Sequence, residues 1–158
     1  PKFLKNFILK NKYAIFMQNF FVYKLNIYNK HESPWEGTRA CKRKDLESFT
    51  HLRKKIVKKN LKKSFWKFHI EKDIEIINGG GWHFNNLYTT EKISQKNKAS
   101  PHQEFNHPKY YDKTIIDKNI SELKDLYGRN HQYKKVAIDE SYPNFFRENL
   151  DKLYDYIL

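Results

Sequence analysis

The stretch DIEIINGGGWHF, residues 73–84, carries the strongest structural signal in the sequence. Its opening residues, Asp73 to Ile77, predict a short strand, and three glycines follow at once. Glycine lets the backbone approach a ligand closely, and amide groups exposed there can hold phosphate oxygens, whereas a tight turn is the purely structural explanation. Trp82, His83 and Phe84 then set an aromatic platform beside an imidazole, which suits a sugar or a base. Core packing is the alternative, and it is favoured for Phe84.

Elements on both sides of this stretch predict an α/β chain rather than an all-helical one. The aromatic and branched residues 14–28 predict one long strand or two short ones, and Thr90 is expected to cap a helix beginning near Glu91. Apolar periodicity predicts further helices at about 44–60, 111–127 and 144–158, and a short strand at 135–138. No repeat or Gly/Ser linker divides the sequence, so we expect a single domain over residues 1–158.

The formal charge of +13, from 31 Lys and Arg against 18 Asp and Glu, indicates an anionic partner such as nucleic acid, a membrane surface or a nucleotide diphosphate. A lysine-rich composition can also arise without selection for binding. The opening segment, with Phe3 and Phe7 among lysines, could pack into a core or make peripheral contact with an anionic membrane. No apolar run approaches the roughly 20 residues of a membrane helix, so no transmembrane segment is expected. Cys41 is the single cysteine, which fits a reducing compartment.

A second chemical cluster is HQEFNH, residues 102–107. Glu104 could act as a general base if burial raised its pKa toward neutrality, and it could equally bind a metal. His102, His107 and His83 would add imidazoles to that carboxylate, a donor set that suits zinc or manganese. A surface loop with incidental histidines is the alternative.

These motifs, taken in order, resemble the signature of glycosyltransferase family 17. The central part of that signature is matched by Gly80-Gly81-Trp82-His83-Phe84, then Glu91, Ile93 and Lys96, then His102-Gln103-Glu104. Its W-x-G-T, L-R and D-L-x-G-R segments are matched by Trp35-Glu36-Gly37-Thr38, Leu52-Arg53 and Asp125-Leu126-Tyr127-Gly128-Arg129. The resemblance extends from about Val22 to Tyr142.

The resemblance implies an inverting glycosyltransferase with a partial GT-A-like mixed sheet flanked by helices. Such an enzyme moves a sugar, here expected to be N-acetylglucosamine, from a UDP donor to a glycan acceptor. The reaction needs a base on the acceptor hydroxyl and stabilisation of the departing diphosphate, usually by a divalent metal such as Mn²⁺. The resemblance implies Glu104 as the base, with Glu91 as its rival and His83 as a further catalytic candidate. It implies donor or metal contacts from Gly80, Gly81, Trp82, Lys96, Arg129 and His102.

One departure from the family concerns its acidic D-x-D-type motif, which lies upstream of the W-x-G-T region. Glu32 is the only acidic residue upstream of that region here. We therefore expect either the C-terminal part of a catalytic domain or a degenerate member of the family. Two other functions stay open: a basic nucleic-acid-binding or metal-dependent nuclease domain, although nucleic acid is the less expected partner, and a non-catalytic remnant. A cytoplasmic location is expected, or the Golgi lumen if the chain belongs to a membrane-anchored eukaryotic enzyme.

Overall fold

The computed structural model describes residues 7–99 and 107–158, which form a mixed α/β structure with two compact units. Unit 1 comprises the described residues up to Asn19 together with Pro34–His83, and unit 2 comprises Phe20–Ser33 with the described part of Phe84–Leu158. The strands are β1 (Tyr13–Val22), β2 (Ile27–Asn29), β3 (Trp35–Cys41), β4 (Ile74–Ile77), β5 (Trp82–Asn85) and β6 (Tyr133–Lys135). The helices are α1 (Phe49–Lys54), α2 (Thr90–Lys98), α3 (Pro108–Tyr111), α4 (Lys113–Ser121) and α5 (Asn144–Glu148), and short 3₁₀ turns lie at Arg43–Asp45, Lys58–Lys62, Leu150–Lys152 and Tyr154–Tyr156.

Unit 1 is built on the first part of β1. This strand pairs antiparallel with β3, where Gln18 lies opposite Trp35, and parallel with β4, where Phe16 lies opposite Ile77. All five residues from Tyr13 to Met17 are buried, as expected for a strand with neighbours on both edges and cover on both faces. The apolar core of unit 1 consists of Tyr13, Ile15, Met17, Ile56 and Ile74.

Unit 2 is built on the last residues of β1, which pair with β2, and on the antiparallel pair of β2 with β6. The helices α2 and α4 supply Ile93, Ile116 and Ile120 to its core. The remaining core residues are Phe20, Val22, Tyr23, Ile27 and Leu126.

The predicted mixed α/β class is confirmed, and several elements match closely. The region 14–28 forms two strands, the strand predicted from Asp73 is β4, and the helix near Glu91 is α2. Thr90 is not the cap of α2, however, because Thr89 occupies that position and the Thr90 hydroxyl donates a hydrogen bond to Asp117. The GT-A-like topology and the single-domain assignment stay predictions.

The helix predicted over 44–60 is wrong in length, since only Phe49–Lys54 is α-helical. Ser48 caps its start by accepting from the His51 amide. Beyond Lys55 the backbone bonds to side chains instead of continuing the helix: Arg39 Nε donates to the Ile56 carbonyl (2.8 Å), and the Lys58 amide donates to Glu36 Oε2 (3.1 Å). Tertiary contacts therefore override the apolar periodicity.

The predicted helices at 111–127 and 144–158 are also too long. The helix predicted at 111–127 is interrupted at Asp112, which caps the start of α4. The helix predicted at 144–158 ends at Glu148, because the residues that follow it form hydrogen bonds with the loop after β1. There the Leu25 amide donates to the Tyr156 carbonyl (2.7 Å), and the Leu158 amide donates to Asn26 Oδ1 (2.9 Å). The strand expected at 135–138 forms earlier, as β6.

The opening segment lies mostly outside the described residues, and residues 7–10 carry no helix or strand. Within the part of the chain that the structure describes, no helix combines the length and the apolar character needed to cross a bilayer.

Candidate functional site

A groove of about 490 Å³ in unit 1 brings together three separated segments of the sequence. The first is the W-E-G-T segment at the start of β3, the second contains Leu52 and Arg53 of α1, and the third is His83 of β5. Gln18, Arg39 and Phe49 complete its lining. This groove, which we call the β3–α1 groove, brings together three segments to which the family resemblance had pointed.

An aromatic pair forms one wall of the β3–α1 groove. The Trp35 indole stacks on the His83 imidazole with ring centroids 5.4 Å apart and planes at 28°. Trp35 is 37% exposed, so it still offers apolar surface to a ligand. Burial lowers the pKa of His83 below its ordinary value of 6.5 and so favours the neutral imidazole, which has one donor and one acceptor nitrogen.

The charged residues of the β3–α1 groove have different roles. Arg39 donates to the carbonyl groups of Ile56, Glu36 and Gly37, and it pairs with the Glu36 carboxylate at 3.4 Å. These contacts hold the start of β3 against the end of α1. Arg53 is exposed and, among the residues that the structure describes, has no carboxylate within ion-pair distance. Arg53 is therefore the cation that this groove can offer to an anion.

The glycines before β5 are explained largely by packing against β1. A Cβ atom on Gly80 would lie 2.6 Å from Phe16 Cβ and 2.8 Å from Phe16 Cα, so only glycine fits there. The Gly80 amide donates to the Met17 carbonyl (2.7 Å), and the Gly81 carbonyl accepts from the Asn19 amide (3.0 Å). The Gly80 amide is thus already bonded and would have to leave Met17 to hold a phosphate oxygen. The half-buried Trp82 follows, at the start of β5.

The aromatic side chain favoured for core packing, Phe84, does pack inside unit 2. Its ring lies 5.3 Å from Phe21 and 5.3 Å from Phe146, centroid to centroid. This contact explains why the WHF segment contains an aromatic residue that offers little to a ligand.

Glu91 and Lys96 lie on α2 in unit 2, and both are exposed. Glu91 pairs with Lys113 at 3.7 Å, and its pKa is lowered by hydrogen bonds from its own backbone amide and from Thr89, a shift opposite to the one a general base needs at neutral pH. Lys96 Nζ donates to Asn86 Oδ1 (2.5 Å) and lies 5.5 Å from the centroid of the Tyr88 ring. The expected base Glu104 and the expected metal ligand His102 lie outside the described residues.

Arg129 is part of a buried network centred on Asp125, whose side chain is only 1% exposed. Arg129 Nη2 and the Tyr133 hydroxyl each donate to Asp125 Oδ2 at 2.6 Å, and the amides of Tyr127 and Arg129 donate to Oδ1. Burial alone would raise the pKa of Asp125, but these hydrogen bonds outweigh it and hold the pKa at about 2. The D-L-x-G-R segment therefore stabilises the fold of unit 2, and a half-exposed Arg129 could reach an anion only from within this network.

A further surface feature is a run of basic and aromatic residues in unit 1, which we call the basic aromatic segment (residues 53–72). Three of its aromatic side chains are well exposed: Phe65 (63%), Trp66 (69%) and Phe68 (87%). One acidic residue, Glu71, stands among the basic residues Arg53, Lys54, Lys55, Lys58, Lys59, Lys62, Lys63, Lys67 and Lys72.

Comparison with known proteins gives no relative: no family model, no curated protein and no solved structure matches the chain. Inference about its function therefore rests on its own residues. Sequence reasoning noted the segments of Trp35 and Arg53 but assigned them no role, because nothing local shows that they face His83. A cluster of His31, Glu32 and His131 was missed altogether, since His131 lies about a hundred positions after the other two in the sequence.

Proposed function

We propose that this chain carries part of the donor site of an inverting glycosyltransferase that resembles family 17. The proposed reaction moves a sugar, N-acetylglucosamine being the expected one, from a UDP donor to a glycan acceptor. One observation supports it most strongly. Segments of the family-like signature that are far apart in sequence, at 35–38, 52–53 and 83, line the same groove. A chance set of motif matches would have no reason to converge in this way.

The chemistry of the β3–α1 groove suits a nucleotide sugar. The exposed face of Trp35 can stack on uracil or on the apolar face of a sugar ring, and neutral His83 can exchange hydrogen bonds with hydroxyl groups. Arg53 can donate a paired set of hydrogen bonds to a diphosphate, whose charge develops further as the sugar leaves. These residues would bind and orient the donor and stabilise the leaving group.

The described residues of the β3–α1 groove do not suit a manganese ion. Mn²⁺ prefers several oxygen ligands, and the one carboxylate among these residues, Glu36, is bonded to Arg39 and to the Lys58 amide. The proposed role of this groove therefore involves no metal ion. The Mn²⁺ expectation, like the assignment of the base to Glu104, stays a prediction.

Titration calorimetry of UDP-N-acetylglucosamine tests the proposal on the chain and on two variants, Trp35→Ala and Arg53→Gln. Removal of a stacking aromatic costs about 1–3 kcal/mol per base, so Trp35→Ala should weaken binding at least fivefold. Loss of a charged hydrogen bond to phosphate costs about 1.5–3 kcal/mol, so Arg53→Gln should weaken binding tenfold or more.

Two matched controls come from outside the groove lining. Trp66→Ala removes an exposed tryptophan of the same unit, and Lys54→Gln removes the neighbouring positive charge. Both controls should bind as the parent chain does. Equal weakening by controls and groove variants, or no binding by the parent chain, would contradict the proposed donor site.

A second candidate function is binding of single-stranded nucleic acid, which the basic aromatic segment favours. Exposed aromatic rings among lysines combine base stacking with phosphate neutralisation, the two elements of sequence-independent single-strand binding. Its test is fluorescence anisotropy with a labelled oligonucleotide at several salt concentrations. A steep fall of affinity with salt, reduced in Lys62→Gln/Lys63→Gln and weakened by Trp66→Ala, would support it, whereas salt-insensitive binding would exclude it.

A further inference from the structure

Two histidines and a glutamate that do not line the β3–α1 groove meet in unit 2. One donor atom from each of His31, Glu32 and His131 lies within 4.8 Å of the other two. The His31 and His131 rings stack with centroids 4.5 Å apart and planes at 16°, and His131 Nε2 lies 3.8 Å from Glu32 Oε1. Two imidazoles and a carboxylate form the donor set of zinc sites that keep an open coordination position.

The backbone around this cluster is fixed by hydrogen bonds. Asn29, which is buried, accepts through Oδ1 from the amides of His31 (3.0 Å) and Glu32 (3.2 Å). The Lys30 amide donates to the Gln132 carbonyl (2.9 Å), so the loop after β2 is bonded to the segment before β6. These contacts bring residues about a hundred positions apart side by side and limit their movement.

A second observation is the state of the His131 side chain. It is only 10% exposed, and its Nδ1 atom is buried with no hydrogen-bond partner among the described residues. A buried imidazole nitrogen without a partner costs free energy unless something else binds it.

We propose that His31, Glu32 and His131 bind a transition-metal ion of the zinc class. A tetrahedral ion with ligand bonds of about 2.0–2.2 Å would draw the three donor atoms to roughly 3.3 Å from one another. The stacked His31 and His131 rings would turn so that one nitrogen lone pair of each, which lies in the ring plane, points at the ion. Glu32 supplies a negative charge that offsets part of the ion's charge. His31 is exposed, so the fourth coordination position opens to solvent. The hard ion Mg²⁺, which prefers an octahedral oxygen shell, should not bind this set.

Titration calorimetry of Zn²⁺ with the whole chain, after removal of metal by a chelator, tests the site. We expect one ion per chain, and tenfold or greater weakening in His31→Ala and in Glu32→Gln. His131→Ala removes a buried side chain and could unfold unit 2. The test therefore uses variants of the exposed His31 and the half-buried Glu32. The control His69→Ala removes an exposed histidine of unit 1 and should leave Zn²⁺ binding unchanged.

Cobalt(II) gives a second readout, because its visible absorption reports coordination number. A tetrahedral spectrum in the parent chain that is lost in His31→Ala would support the site. Zn²⁺ binding that is absent, or that is unaffected by both His31→Ala and Glu32→Gln, would overturn it. The outcome is independent of sugar-nucleotide binding, since none of the three ligands lines the β3–α1 groove.

Discussion

Asp125→Asn is expected to destabilise the chain strongly, because Asp125 is a buried carboxylate that accepts hydrogen bonds from Arg129, Tyr133 and two backbone amides. The network holds the pKa of Asp125 at about 2, against an ordinary value of 3.8. At about 1.4 kcal/mol per unit of pKa, that difference stabilises the folded state at neutral pH by about 2 kcal/mol. The amide keeps the shape of the side chain but loses this charge, so a loss of about 2–3 kcal/mol is expected.

The pH dependence has a defined sign. A carboxyl group whose pKa is lower in the folded state stabilises the fold above its unfolded pKa, and this contribution is lost as pH falls from about 4 toward 2. Urea unfolding followed by circular dichroism should show a large difference between the parent chain and Asp125→Asn at pH 7, narrowing by about 1 kcal/mol at pH 3. Asp151→Asn, at an exposed position, is the matched control and should unfold like the parent. Equal urea midpoints for Asp125→Asn and Asp151→Asn at pH 7 would show that the Asp125 carboxylate does not stabilise the fold.

Three further expectations concern single positions. Tyr133→Phe removes the 2.6 Å hydrogen bond to Asp125, so thermal unfolding should show a loss of about 1–2 kcal/mol and acid unfolding should begin at higher pH. Gly80→Ala places a Cβ atom against the backbone of Phe16, so urea unfolding should show a loss of stability of about 1–3 kcal/mol. In Gly79→Ala a Cβ atom has free space, so the expected loss of about 1–2 kcal/mol comes from the backbone φ of +64°. Unchanged stability of Gly80→Ala would contradict the close contact between Gly80 and Phe16. Because burial lowers its pKa, His83 should titrate below 6.5 in an NMR pH series, and a midpoint above 6.5 would contradict the described environment.

Local patterns in the sequence predicted β1, β2 and β4, whose aromatic and branched runs are short and self-contained signals. They did not predict β3 or β5, and the strand expected at 135–138 formed at Tyr133–Lys135. The helices predicted at about 44–60, 111–127 and 144–158 were too long because capping and tertiary hydrogen bonds decide where helices end. Ile56 and Lys58 fit the pattern of an amphipathic helix. In the structure, however, the Ile56 carbonyl accepts from Arg39 and the Lys58 amide donates to Glu36, and no local sequence pattern indicates these contacts.

In the candidate site, too, local sequence indicated individual residues but not the tertiary contacts between them. His83 and the W-E-G-T and L-R segments could be selected from motif order, whereas their meeting in one groove depends on strand pairing. Arg129 looked like a ligand-binding cation from its motif, but Asp125, four residues earlier, occupies its guanidinium group. The His31, Glu32 and His131 cluster depends on the pairing of β2 with β6 and carries no sequence signal at all.

The most direct test of the donor site uses the three tryptophans as reporters, because Trp35 lines the β3–α1 groove and Trp66 does not. Their indole N–H signals can be followed in ¹H–¹⁵N correlation spectra while UDP-N-acetylglucosamine is added. We expect the Trp35 signal to shift with a saturable dependence on donor concentration and the Trp66 signal to stay in place. A Trp35 signal that does not move at high donor excess, or a shift confined to Trp66, would contradict the proposed nucleotide-sugar site.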